Sequence, residues 1–259
     1  MTPILAFDIE TIPDVAGIRR LHALPVDLPD REVAEIAFQR RRTQTGGDFL
    51  PPQLQRVVVI SCVLRSDEGV QVFSIGEPER GERDSIQKFY DGIDKLVPQL
   101  VSWNGGGFDL PVLNYRGLVL GVSAPMFWET GDENRDFRYN NYVSRYHSRH
   151  TDLMDVLAMY QPRNNAPLDD VAQLAGLPGK IGVGGAKVWE TYLAGDIAGI
   201  RDYCEADTAN TYLLYLRYQL LRGILSKDLF EKENKILRNC IKGLDKPHWR
   251  EFLKLWNDS

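Results

Sequence analysis

Asp8 and Glu10 stand two residues apart in ILAFDIET, a run that otherwise reads as a buried strand. Alternate residues of a strand point to one face, so the two carboxylates project side by side among apolar neighbours. Like charges that close raise each other's pKa and destabilise the fold unless a cation lies between them. The pair therefore asks for a cation.

Two further acidic positions come later in the chain. In SWNGGGFDLPVL an apolar strand end and a glycine-rich turn lead into Phe-Asp-Leu-Pro. Proline is tolerated in a first helical turn, where its missing N–H had no partner anyway. Asp109 thus sits at a strand-to-helix junction, either as a working acid or as a plain helix cap. In DYCEADTANTYLLYLR, Tyr203 and Asp207 lie four apart and share a helix face. Asn210, Thr211 and Leu214 continue that face, which borders a cleft or lies on an open surface. Each piece recurs elsewhere: a second Asp-x-Glu at Asp30–Glu32, and a second Tyr-x-x-x-Asp at Tyr90–Asp94. Specificity lies in the combination, with each acid in its expected setting and the three segments in one order.

The elements that must position these acids follow from patterning. After the first strand, a polar, proline-containing stretch runs to about residue 50. Within it QRRRTQTGGDF (39–49) reads as a mobile loop, a solvated linker or one that touches a phosphate backbone. RVVVISCVLR and VQVFSIG, separated by DEG, read as a hairpin. DSIQKFYDGIDKLV reads as a helix and QLVSWN as a further strand. From residue 150 onward the pattern is helical. A three-stranded meander, a β-α-β-like return and a helical half predict an α/β fold, a mixed central sheet flanked by helices. The expected organisation is one domain over 1–224, with 225–259 a helical extension packed on it.

The chain has 259 residues, 43% of them hydrophobic, enough for one large core. Its net charge of −5 argues against a protein that coats nucleic acid or lies on an anionic membrane. An enzyme that grips a few nucleotides through bound metal ions remains compatible with it. Cys62, Cys204 and Cys240 are too few and too scattered for a disulfide framework or a zinc knuckle. There is no basic leader before an apolar run and no window of about 18 apolar residues. A cytoplasmic, soluble chain without a membrane partner is the expectation.

FDIET, NGGGFDLP and Tyr203-Cys-Glu-Ala-Asp207 resemble the three motifs of the DEDD superfamily of 3′–5′ exonucleases, with the third motif in its tyrosine form. The likeness is closest to stand-alone predicted exonucleases related to the proofreading domain of family-B DNA polymerases. It covers roughly residues 1 to 220, including FLPPQLQRVVVIS, HTDLMDVL and GLPGKIGVGG.

The resemblance implies a ribonuclease H-like fold. It further implies that Asp8, Glu10, Asp109 and Asp207 hold two divalent cations, Mg²⁺ or Mn²⁺, whose hard character suits oxygen ligands. Asp8 would bridge the two ions. Tyr203 would orient the attacking water rather than deprotonate it, since a phenol with a pKa near 10 is a poor base. The backbone of Glu10 and Thr11 would hold the terminal 3′-hydroxyl, and Asn104 and Phe108 would flank the last nucleotides. Phe108 is equally read as a core aromatic, and Asn104 as a residue bonding its own turn. The implied partner is a single-stranded 3′ end, DNA before RNA, with recruitment by a polymerase or a DNA repair protein possible. A non-catalytic nucleic-acid-binding module is the alternative that four retained acids argue against.

Two other stretches invite functional readings. GKIGVGGAKVW lacks the spacing of a nucleotide-triphosphate loop; it reads as a flexible loop in which Lys180 or Lys187 touches a phosphate. His150, Asp152 and Asp155 in HTDLMD read as a helix cap with acids in the first turn before they read as a metal cluster.

Overall fold

Ten residues, buried or nearly so along their whole length, make β1 (Ile4–Pro13), the middle strand of a five-stranded sheet ordered β3-β2-β1-β4-β5. A computed structural model describes residues 2–76, 81–182 and 184–256. After β1 come α1 (Val15–His22) and α2 (Asp30–Thr45), then the hairpin of β2 (Gln55–Ser66) and β3 (Gly69–Ile75), in which β2 pairs antiparallel with both β1 and β3. α3 (Gly81–Leu96) crosses back to β4 (Gln99–Ser102), parallel to β1. α4 (Asp109–Leu120) and the short α5 (Pro125–Trp128) lead to β5 (His150–Asp152), parallel to β4. The helices α6 (Leu153–Leu157), α7 (Leu168–Leu174), α8 (Val188–Leu193), α9 (Ile197–Leu221), α10 (Lys227–Leu244) and α11 (Pro247–Leu255) complete the chain. This is the mixed α/β architecture expected of a ribonuclease H-like domain.

The strand period of two decides which way β1 faces. Leu5, Phe7 and Ile9 pack with Ile86 and Phe89 of α3 and Leu113 of α4. Ala6 faces the other layer, built from Ala206, Ala209 and Leu213 of α9 with Leu237, Trp249 and Phe252 of the last two helices. Asp8 and Glu10 share the parity of Ala6 and so turn toward α9. Directly after Glu10 the β1–β2 register shifts, Glu10 opposing Val59 and Thr11 opposing Val57. Such bulges re-aim side chains and are frequent beside active sites.

Three expectations are corrected. Residues 39–45, expected to lie in a mobile loop, belong to α2, which ends at Gly46 in the left-handed conformation (φ 80°). Arginine, glutamine and glutamate are good helix formers, and Val33, Ala34 and Ala37 give the helix a buried stripe against Ile18 and Leu50. Arg42 is engaged by Glu35 and Asp48. The helical half does not begin at residue 150, because three residues first pair with β4 as β5; so short and polar a strand carries no periodic signal. Finally, Asn210, Thr211 and Leu214 are buried rather than on an open face, since α9 is enclosed on nearly every side from Tyr203 to Leu216. Among the described residues no helix is long and apolar enough to cross a membrane.

Candidate active site

Four acids converge where β1, α4 and α9 meet. Asp8, Glu10 and the Cys204 thiol place ligand atoms within 4.8 Å of one another. Asp109, at the first turn of α4, reaches β1 and accepts from the Ile9 amide at 3.1 Å. The Asp8 and Asp109 carboxyls lie within interaction range of each other. From α9, Tyr203 hydrogen-bonds Asp207. The Cys204 thiol lies 3.7 Å from Asp8 Oδ2.

Burial and mutual repulsion govern the electrostatics. Burial, then the charges of Asp109, Glu10 and Asp207, push Asp8 well above the usual carboxylate range. Glu10 is raised by burial and by Asp207 and Asp109, with Lys180 opposing. Burial also lifts Asp109 to about 7 and Asp207 to about 6. Tyr203 is driven far up by burial, Asp207 and Glu10, so its hydroxyl keeps its proton.

The acids open into a cavity of about 450 Å³ lined by Asp8, Glu10, Trp103, Asn104, Met154, residues 165–168, Lys180, Tyr203 and Asp207. Among the described residues, Lys180 is the one cation in that lining. A second cavity, about 610 Å³, shares Ile9 and Glu10 with the first and continues past Thr11 to Phe49, Phe108, Arg42 and Trp189. The rings of Phe49 and Phe108 are 5.1 Å apart.

The turn carrying Asp109 is held from β5. Asp152 accepts from the amides of Asn104 and Gly106, both at 2.9 Å, and caps α6 through Met154 and Asp155. HTDLMD thus acts as the brace and helix cap that its residue types suggest. Asn104, in the left-handed conformation (φ 65°), lines the cavity and bonds its own turn, its carbonyl accepting from Gly107 and Phe108. At Gly105 a Cβ would stand 2.3 Å from Ser102 Oγ, which explains a glycine there. The GKIGVGG loop is tied to α9 by Asn210 Nδ2 donating to Gly179 O at 2.7 Å. Lys180 faces the acids, whereas Lys187 is exposed in the turn before α8.

The acids and their sequence-predicted neighbours Thr11, Asn104, Phe108, Lys180 and Tyr203 therefore lie at one of two adjoining cavities or against their acids. The Asp30–Glu32 and Tyr90–Asp94 repeats lie in α2 and α3, away from them. Sequence reasoning did not find Phe49, Trp189, Trp103 or Met154, which reach the cavities through tertiary packing, nor Cys204, although it adjoins Tyr203.

The site fits divalent metal. Its donors are carboxylate oxygens, Asp207 Oδ1 is buried with no hydrogen-bond partner, and the repulsion among the acids is what a cation would relieve. A second acidic group, Asp202, Glu205 and His248, is different, because Lys246 Nζ already sits 3.0 Å from Glu205.

A mixed sheet presenting two acids from its first strand, a third from the helix after its fourth and a fourth from a late helix defines the ribonuclease H-like exonuclease class. The chain belongs to the family described as predicted 3′-5′ exonucleases related to the exonuclease domain of PolB, whose sequence profile it matches over residues 47–256. Asp109, Tyr203 and Asp207 lie within that match, and Asp8 and Glu10 precede it, joined to the others by the fold. A search of curated proteins gives no significant match.

Proposed function

We propose that this chain is a metal-dependent exonuclease that hydrolyses the last phosphodiester bond of a single-stranded 3′ end and releases nucleoside 5′-monophosphates. The observation that carries the reading is the convergence of Asp8, Glu10, Asp207 and a protonated Tyr203 on one open cavity, with Asp109 against Asp8 behind them. The family's kinship with the exonuclease domain of DNA polymerase B supports DNA as the substrate.

Asp8, Glu10, Asp109 and Asp207 would hold two Mg²⁺ or Mn²⁺ ions, which lower the pKa of an attacking water and neutralise charge on the scissile phosphate. Tyr203 donates or accepts a hydrogen bond that aims that water along the line of attack. It does not remove the proton, since its surroundings keep the phenol neutral. Lys180 faces the same space and offers a positive charge to a non-bridging phosphate oxygen. The second cavity takes the terminal nucleoside: the backbone at Glu10 and Thr11 lies at its mouth, and Phe108 with Phe49 offers a stacking face. Thr11 Oγ1 donates to Gln55 at 3.0 Å, which leaves its backbone as the contact.

The deciding experiment incubates 5′-labelled DNA and RNA oligonucleotides with the protein in Mg²⁺, Mn²⁺ or EDTA, with Asp8→Ala alongside. The expected result is a ladder shortening from the 3′ end, stronger on DNA, absent in EDTA and in the variant. Shortening of RNA alone would reassign the substrate. Binding without shortening under either metal would replace the enzyme with a nucleic-acid-binding module.

A further inference from the structure

The segment between α5 and β5 plays no part in the chemistry above. Over 135–149 it reads RDFRYNNYVSRYHSR, four arginines against one aspartate in a chain of net charge −5. Its aromatic residues divide into two sets. Phe137 and Tyr142 are buried, and the Tyr142 hydroxyl donates to Pro98 O at 2.6 Å. Tyr139 and Tyr146 are 81% and 70% exposed. The backbone that presents them is fixed from within: Asn141 Nδ2 donates to Phe137 O, Asn141 Oδ1 accepts from Ser144 N, and Asn140 Oδ1 accepts from Arg149 N.

Tyr146 meets Tyr160 edge to face, with ring centroids 4.9 Å apart. The Arg145 guanidinium lies 5.3 Å from the Tyr160 ring and 5.9 Å from that of Tyr146, and Asp155 holds it at 2.8 Å. Met159 and Tyr160 both adopt left-handed backbone, φ 52° and 58°. Bulky side chains rarely do so, and such strain concentrates at working surfaces. The bend sets Tyr160 against Tyr146. Exposed Arg163 follows three residues later.

The position of this cluster gives it meaning. Met154 and residues 165–168 line the acidic cavity, and Tyr160 and Arg163 lie on the stretch between them. In the sheet, β5 is two strands from β1 on the side opposite β2, whereas the Phe49–Phe108 cavity reaches Gln55 at the start of β2. A strand whose last nucleoside occupied that cavity would cross the acids and leave over Tyr160 and Tyr146.

We propose that Tyr146 and Tyr160, with Arg145 and Arg163, form a platform that stacks the bases and pairs the phosphates of single-stranded nucleic acid upstream of the nucleotide being removed. The proposal rests on the exonuclease reading above and deepens it. Aromatic faces accept any base, and arginines beside them suit the backbone, the combination used for strands bound without regard to sequence. The platform makes substrate length a determinant of affinity.

The test compares wild type, Tyr146→Ala and Tyr146→Phe on a 20-residue oligothymidylate and on the trimer, following release of dTMP. The trimer, with only two nucleotides upstream of the one removed, is the short control. Tyr146→Ala should raise KM on the 20-mer about fivefold to tenfold, leave kcat and the trimer KM within about twofold, and be rescued by Tyr146→Phe. Equal effects on both lengths, or none on the 20-mer, would overturn the platform. Fluorescence anisotropy of labelled 20-mer with Asp8→Ala protein, with and without Tyr146→Ala, reads binding without turnover and should show the same weakening. Weakened binding in a protein that cleaves nothing would fault the nuclease reading and keep the platform; cleavage with no length-selective loss would do the reverse.

Discussion

Tyr203 is a residue whose surroundings decide its role. Burial and two nearby acids hold its phenol protonated, so it can orient a water but not activate one. Tyr203→Phe should therefore lower kcat about 10²-fold while the thermal shift induced by Mn²⁺ and the KM stay within about twofold. Unchanged kcat would remove Tyr203 from the reaction. The acids beside it supply a pH-dependent prediction. Asp109 titrates near 7 in the fold against an ordinary carboxylate near 3.8. A carboxyl raised in this way contributes stability at low pH that is lost as pH climbs from about 4 through 7, because the folded state releases its proton last. A cation held by the acids, as proposed, would offset that loss. The rise in Tm on adding Mg²⁺ should accordingly be larger at pH 8 than at pH 5.5, and Asp109→Asn should reduce the difference. A Mg²⁺ shift independent of pH would mean the ions bind elsewhere.

Elements position these residues, and the chain announces some elements far better than others. The strand character of β1 and the helical character of α9 are written in residue types, so the pairing of Asp8 with Glu10 and of Tyr203 with Asp207 follows from their spacing of two and four. The role of α2 is hidden by flanking proline and glycine, although its own residues favour helix. β5 is hidden because a three-residue strand gains its identity from pairing with β4, not from its own residues. That small strand nonetheless fixes the site through Asp152 and through His150, which hydrogen-bonds Ser102 Oγ at 2.8 Å. Burial lowers His150 to about 4 from an ordinary value of 6.5. A base depressed by folding is protonated first in the unfolded chain, so stability falls as pH drops through that window. Across pH 6.5 to 4 the wild type should lose roughly 3 kcal/mol that His150→Asn does not, measured by urea unfolding of both proteins at each pH. Parallel profiles would show that His150 is already charged in the fold.

At the scale of the whole molecule, α9, which carries Tyr203 and Asp207, is a core element clamped from behind. The cavities are walled by residues from α2, α6, α8 and the loops around them, which is why sequence spacing finds the acids but not Phe49 or Trp189. On the far side from the cavity, Glu205 stands two residues from both Tyr203 and Asp207 and is almost fully buried. Ser74 of β3 donates to it, as do Lys246 and His248 from the start of α11. Burial alone would raise the Glu205 pKa, but the hydrogen bonds from His248 and Lys246 outweigh it and hold the carboxyl below its usual range. The start of α11 therefore completes the electrostatics of α9, while the last two helices cover its apolar side. Removing one partner of such a group leaves a charge without compensation, whereas removing both is milder. The Lys246 ammonium is partly exposed, so water screens some of the loss. Lys246→Met should cost about 1–2 kcal/mol and Glu205→Gln added to it should recover most of that. kcat should fall in the single variant and return in the double, because α9 carries Tyr203 and Asp207 with it. A double-mutant cycle in urea, paired with turnover of the same four proteins, reads both effects. Additive losses, with no recovery in the double variant, would show that α9 holds its place without this clamp.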